Sequence, residues 1–319
     1  MIQKIVFIAL MVLIIILGVV AHYVHWNPFN PLHGARLTVD NLSREFTYYV
    51  PKGLSDHPGL LFVLHGSEMT SAEMRYVTGR QFDRFADKYR DFIVVYPQGF
   101  HRYWNDCRRM VFSDAQRLNV NDVGFFSSMA GFFSDKYSID TSRLFAVGYS
   151  NGGQMCYRLA KEIPGMLRGI AVLCASLPLA ANDHCSDIGR PVSILVMNGT
   201  ADPINPYDGG EVRAGSGEAR GEVVSTVQTL EFWLDRDSCE RASRVEYEFP
   251  DLKRKDSSTV IQYSYTSHRT QKQVALVKII NGGHTIPNPG FSFWTKALGN
   301  VNKDVNAPEI IVKFFRQLQ

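Results

Sequence analysis

The chain has 319 residues, 45% of them apolar and 20% charged, an ordinary globular composition that sets aside a disordered or fibrous protein. Its net charge of +3 comes from nearly balanced signs and forms no basic stripe, so nucleic acid is not an expected partner.

Met-Ile-Gln-Lys opens the chain and is followed by an unbroken apolar run from Ile5 to Ala21, with no acidic residue before Asp40. A positive start followed by such a run is an export signal. Val19 and Ala21 are small enough for cleavage after Ala21, while Tyr23, Val24 and Trp26 could extend the run into a retained membrane anchor. In both cases the chain beyond this segment is expected outside the cytoplasm. Residues 1–25 are therefore set apart, and the roughly 290 beyond them fit one large domain, 26–319.

From Arg44 onward, apolar runs alternate with helical patterns. Arg44–Val50 alternates as a strand, and Gly59–Leu64 and Phe92–Tyr96 are short continuous apolar strands of the kind buried in parallel sheets. Ser71–Tyr89 reads as a helix capped by Ser71. Asp122–Tyr137 reads as a second helix, rich in Phe. Arg143-Leu144-Phe145-Ala146-Val147 opens a short apolar strand that runs into Gly148-Tyr149-Ser150-Asn151-Gly152, and a helix starts at once. Leu167–Ala175 and Val192–Asn198 are further buried strands, and Val223–Asp235 is an amphipathic helix. Gly209–Gly221, rich in glycine, reads as a mobile surface loop. Val245–Glu248, Thr259–Tyr265 and Gln273–Ile280 are strands, and Pro308–Leu318 closes with a helix. The pattern predicts an α/β fold, a mainly parallel sheet with helices on both faces.

Five cysteines outside the cytoplasm permit disulfides and leave at least one thiol over. Cys156 and Cys174 fall in apolar elements and read as buried. Cys185 and Cys239 lie in polar, loop-like contexts and are the expected pair, with Cys107 unassigned.

Gly-x-Ser-x-Gly between a strand and a helix is the pattern of a nucleophile elbow, whose sharp turn exposes the serine hydroxyl above the sheet. Serine needs a base to lose its proton, and the base needs an orienting acid. On this architecture the partners come in the order acid, then histidine, each after its own strand. Of nine histidines only His268 and His284 come late enough. His268 lies in a polar turn, whereas His284 follows Gln273–Ile280 directly, after Gly282 and Gly283. Asp202 follows Val192–Asn198; Asp208, Asp235 and Asp237 are its competitors, the last two on or just past a helix. The backbone N–H of Asn151 is one expected oxyanion donor and that of Ser67, after Leu64-His65-Gly66, is the other. His65 reads as a structural residue fixing this loop. No metal, nucleotide or cofactor motif is present in the sequence, so a metal-free, cofactor-free site is expected.

Taken with Leu64-His65-Gly66-Ser67, Tyr96-Pro97-Gln98-Gly99, Trp104-Asn105-Asp106, Asn121-Asp122-Val123-Gly124-Phe125, Asn198-Gly199-Thr200-Ala201-Asp202-Pro203, Pro206-Tyr207-Asp208-Gly209-Gly210 and Gly282-Gly283-His284-Thr285, the elbow resembles the secreted polyhydroxybutyrate depolymerases and feruloyl and acetylxylan esterases. The resemblance runs from about Phe46 to Phe315. It implies an α/β-hydrolase fold, a serine esterase with Ser150, Asp202 and His284 as triad, and Trp104 and Tyr207 lining the substrate pocket. Two departures stand out. Ile286 replaces the tryptophan that commonly follows His-Thr, and no linker or polymer-binding domain follows the last helix. Soluble oligoesters, acetyl esters or feruloyl-type esters are accordingly expected as substrates rather than crystalline polyester. A peptidase of the same fold, or a membrane-tethered binding protein that lost catalysis, are the alternatives.

Overall fold

The computed structural model describes residues 32–290 and 296–318. The expected export or anchoring segment, residues 1–25, lies outside the described residues; among those described, no helix is long and apolar enough to cross a membrane. In chain order the principal elements are β1 (His33–Val39), β2 (Leu42–Tyr49), β3 (Gly59–Leu64), α1 (Ser71–Val77), α2 (Gln81–Tyr89), β4 (Phe92–Pro97), α3 (Asp114–Arg117), α4 (Asp122–Tyr137), β5 (Leu144–Tyr149), α5 (Asn151–Glu162), β6 (Gly169–Leu173) and β7 (Ser193–Gly199). They continue with β8 (Gly210–Arg213), β9 (Ala219–Val223), α6 (Thr226–Asp237), β10 (Val245–Glu248), β11 (Thr259–Thr266), β12 (Gln273–Ile280) and α7 (Ala307–Gln317).

Ten strands form one sheet in the order β1-β2-β4-β3-β5-β6-β7-β12-β11-β10. The six central strands, β4 through β12, are parallel, and antiparallel pairs close both edges. Each strand's period of two splits the core into two layers. Leu60, Phe62 and Leu64 of β3 join α4, α5 and α6 on one face, where Phe125, Phe133, Leu159 and Trp233 pack. Leu61 and Val63 join α1, α2 and α7 on the other, with Met74, Phe82 and Phe315. The central strands are buried on both faces, which is why they read as continuous apolar runs. The C-terminal ends of β3, β5, β7 and β12 lie on one edge of this parallel region, where sites on such sheets form.

Four differences from expectation have local causes. The segment 71–89 is two helices: Gly79 and Arg80 take positive φ (62° and 55°), and α1 ends at Val77. Its cap is Thr70 rather than Ser71, and Thr70 and Glu73 bond reciprocally in a capping box. Strand β1 extends the sheet ahead of Arg44. The segment Gly209–Gly221 is largely a β-hairpin, β8–β9, whose turn holds Gly215 and Gly217.

The disulfide joins Cys107 to Cys185, with Cα atoms 5.0 Å apart, and not Cys185 to Cys239. Cys239 is a buried free thiol just after α6, and it faces the Lys272 carbonyl at 3.7 Å. The loop that carries Cys185 runs beside residues 107–110: the Cys107 carbonyl accepts the His184 N–H at 3.0 Å and the Asn182 carbonyl accepts the Arg109 N–H at 2.7 Å.

Candidate active site

Ser150 stands between β5 and α5 with φ 54° and ψ −116°, a strained conformation for a residue with a Cβ. The elbow's tightness explains its glycines. A Cβ on Gly148 would lie 2.1 Å from the Gly152 carbonyl oxygen, and one on Gly152 would lie 2.6 Å from that of His65. The backbones of β3 and the elbow therefore touch, which brings Ser67 and Ser150 into the lining of one cavity.

The acid and histidine loops meet in the same way. A Cβ on Gly199, at the end of β7, would sit 2.2 Å from the Gly282 carbonyl oxygen. Asp202 Oδ2 is 2.7 Å from His284 Nδ1, and both residues are buried. Asp202 Oδ1 accepts the N–H groups of Ile204 and Asn205 at 2.8 Å each, which fixes the carboxylate. The His284 N–H donates to the Leu298 carbonyl at 2.7 Å, and the Tyr149 hydroxyl donates to the His284 carbonyl at 2.8 Å. An Nδ1–H that donates a hydrogen bond to Asp202 leaves the Nε2 lone pair free to accept a proton. Cys174 also lies beside this pair; its Sγ, Asp202 and His284 place their polar atoms within 4.8 Å of one another. Burial pushes the Cys174 thiol well above its ordinary range, so it stays protonated.

The cavity measures about 520 Å³ and is bordered by Ser67, Tyr149, Ser150 and His284 together with apolar Met69, Ile204, Val212 and Leu298. The amides of Ser67 and Asn151 have no intramolecular acceptor among the described residues, and Asn151 opens α5, whose N-terminal dipole favours negative charge.

Trp104 and Tyr207 do not border this cavity. Trp104 is fully buried, its indole N–H donating to the His65 carbonyl at 2.8 Å and its ring packed on Phe126. Tyr207 is almost fully buried, and Lys278 lies 5.5 Å from its ring centre. The aromatic size of these residues marks core in this chain, not pocket wall. Two residues that do border the cavity, Arg108 and Arg220, were not expected there from the sequence. The signal for Arg220 is the alternation of Gly-Glu-Val-Arg and Ala-Arg-Gly-Glu-Val on either side of a glycine-rich turn, which marks a hairpin with one face inward.

His65 is held as a structural residue. Its Nε2 accepts the Gly99 N–H at 2.9 Å and its Nδ1 faces the Gly66 carbonyl at 2.7 Å, so a single neutral tautomer satisfies both. Burial pushes the imidazole down to about 4 from its ordinary 6.5. The unfolded chain takes up this proton near pH 6.5 and the folded one only near pH 4, so stability is fully present above about 6.5 and falls as pH drops to 4. The loss amounts to about 3 kcal/mol. Thermal unfolding followed from pH 7 to pH 4 is expected to show this fall, and the His65→Gln variant should show a flatter profile.

No family model matches the chain, but curated proteins and solved structures do. NocK of Nocardia uniformis subsp. tsuyamanensis, provisionally named an esterase, is 25% identical over 260 residues, which is 80% of this chain and 73% of that protein. Acetylxylan esterase A of Talaromyces purpureogenus is 31% identical over 137 residues, 42% of this chain and 34% of that one. Feruloyl esterase B of Thermothelomyces thermophilus is 29% identical over 150 residues, 43% and 50% respectively. The solved acetyl xylan esterase of Aspergillus awamori superposes with a TM-score of 0.55 at 15% identity, covering 80% of this chain and 95% of that one. The chain has the α/β-hydrolase fold and is similar in sequence to proteins named as esterases. The matched parts span only about a third to a half of the fungal relatives, so their individual substrates do not transfer with the likeness. As a class of reaction, the relatives support hydrolysis of carboxylic esters.

Proposed function

We propose that the protein is an extracytoplasmic serine esterase that works through an acyl-enzyme on Ser150. The observation that carries this reading is the 2.7 Å contact between Asp202 and His284 beside a serine held at φ 54° in the same cavity. His284 Nε2 takes the Ser150 proton as Oγ attacks the ester carbonyl, and Asp202 stabilises the imidazolium. The amides of Ser67 and Asn151 hold the oxyanion, each lowering the barrier by about 3 kcal/mol. His284 then protonates the departing alcohol, activates water, and the reverse sequence frees Ser150.

Export is supported by the apolar run Ile5–Ala21 and by the Cys107–Cys185 disulfide, since such bonds persist in oxidising compartments. Oligoesters of the hydroxybutyrate type and acetyl or feruloyl esters are the substrate classes that the resemblance favours. The test is direct: the purified protein should hydrolyse a short p-nitrophenyl ester and take up one equivalent of a fluorophosphonate, with the label on the peptide that contains Ser150. Absence of both turnover and labelling would overturn the proposal.

A further inference from the structure

Two arginines border the cavity, and they are held differently. Arg108, 4% exposed, is paired within the protein: its guanidinium grips the fully buried Asp106 through contacts of 2.5, 3.1 and 3.2 Å. Arg220, on the inner face of the β8–β9 hairpin, is equally buried, but its acidic neighbours lie on the solvent side. Glu218 is 3.1 Å away and Glu68 3.7 Å away, and their side chains are 67% and 68% exposed. Such pairs are weak, because water and salt screen the exposed partner. Arg220 donates besides to the Phe112 carbonyl at 3.3 Å, and its plane lies 4.4 Å from the Phe112 ring centre. That stacking fixes the fork, whose five N–H donors exceed the bonds it makes to Glu218, the Phe112 carbonyl and the Tyr103 hydroxyl.

A rigid, desolvated guanidinium without a buried counter-ion, in the cavity that holds Ser150, is a receptor for a carboxylate. No buried carboxylate on the cavity wall supplies one: Glu73 is turned to Arg102 at 3.0 Å, and the exposed Glu68, whose Oε1 faces Arg220 from 3.7 Å, also accepts the Tyr103 hydroxyl at 2.9 Å. Resting on the serine-esterase reading, we propose that Arg220 binds a free carboxylate on the substrate, so that the preferred esters are acidic ones. Half-esters of dicarboxylic acids and hydroxy-acid esters with a free acid end are the matching class. The apolar wall of Met69, Ile204, Val212 and Leu298 takes the chain between carboxylate and ester.

The test compares kcat/KM within two pairs of esters of matched length. The first pair is p-nitrophenyl valerate and mono-p-nitrophenyl glutarate, with the acid on the acyl side. The second is butyl acetate and the acetate ester of γ-hydroxybutyrate, with the acid on the alcohol side. In at least one pair the acidic ester should be favoured about tenfold, as expected for one charge-assisted bond, and Arg220→Gln should abolish that preference. Should Arg220→Gln fail to fold, Glu218→Gln and Glu68→Gln serve instead. Removing these exposed competitors should raise the acidic-to-neutral ratio about two- to fivefold. Turnover of the neutral esters with no acidic preference in either pair, or a ratio untouched by these substitutions, overturns the carboxylate site and leaves the esterase reading standing. No turnover of any of the four, together with no fluorophosphonate labelling, overturns both.

Discussion

Replacement of Ser150 by alanine is expected to lower kcat on an activated ester by about 10⁵-fold or more while leaving the fold intact. The rate effect comes from removing the proposed nucleophile. Alanine keeps the Cβ, so the strain at φ 54° is unchanged and the unfolding temperature should stay within a few degrees of the parent. Ser150→Gly removes that strain as well as the nucleophile, and should be more stable by about 1–3 kcal/mol. An inactive variant that is more stable than its parent is the signature of strain stored at a working residue. Asp202→Asn supplies an independent check. Its Oδ1 can still accept from Ile204 and Asn205, but an amide NH₂ opposite His284 Nδ1 favours the tautomer with the proton on Nε2. The imidazole then has no lone pair for Ser150, and kcat should fall about 10⁴-fold. Residual turnover within tenfold of the parent in Ser150→Ala would place the chemistry elsewhere.

Ser150, Asp202 and His284 could be picked out from the chain because each comes just after its own continuous apolar strand, and parallel strands carry their C-terminal ends to one edge. What that pattern could not supply was the direction of side chains in the long connections. Trp104-Asn105-Asp106 and Asn121-Asp122-Val123-Gly124-Phe125 carry the family resemblance, and in the structure they build scaffold. Asn121 caps α4 through the Gly124 N–H at 2.7 Å, and Asp122 holds Arg44 at 2.6 Å and the Asn105 N–H at 2.7 Å. Arg220 lay hidden because glycine content reads as mobility, whereas here Gly215 and Gly217 only shape the turn of a hairpin whose inner face borders the cavity of Ser150. The Cys107–Cys185 pairing depends on two loops meeting across 78 residues, and no local pattern carries that information.

The scaffold under the elbow makes its own prediction. Asp106 is completely buried and accepts from Arg108 and from Asn151 Nδ2, the latter at 2.6 Å. Asn151 Oδ1 in turn accepts the Trp104 N–H at 2.9 Å, so one carboxylate orients both a cavity arginine and the residue whose backbone N–H is the proposed oxyanion donor. Asp106→Ala strips a buried guanidinium of its counter-charge, and the variant should lose about 3–5 kcal/mol in denaturant unfolding. Most of that loss is the penalty of an unpaired ion rather than the worth of the pair. The double variant Asp106→Ala/Arg108→Met removes both charges and should recover the greater part of the stability, a non-additivity that a mutant cycle reads directly. Catalysis should not recover with it. With Asp106 gone, Asn151 keeps only its bonds to Trp104, and an oxyanion donor held less firmly should lower kcat in the refolded double variant while KM for a neutral ester changes little. Equal stability of Asp106→Ala and the parent would mean that Arg108 finds another partner, and full kcat in the double variant would show that Asn151 does not depend on Asp106 for its position.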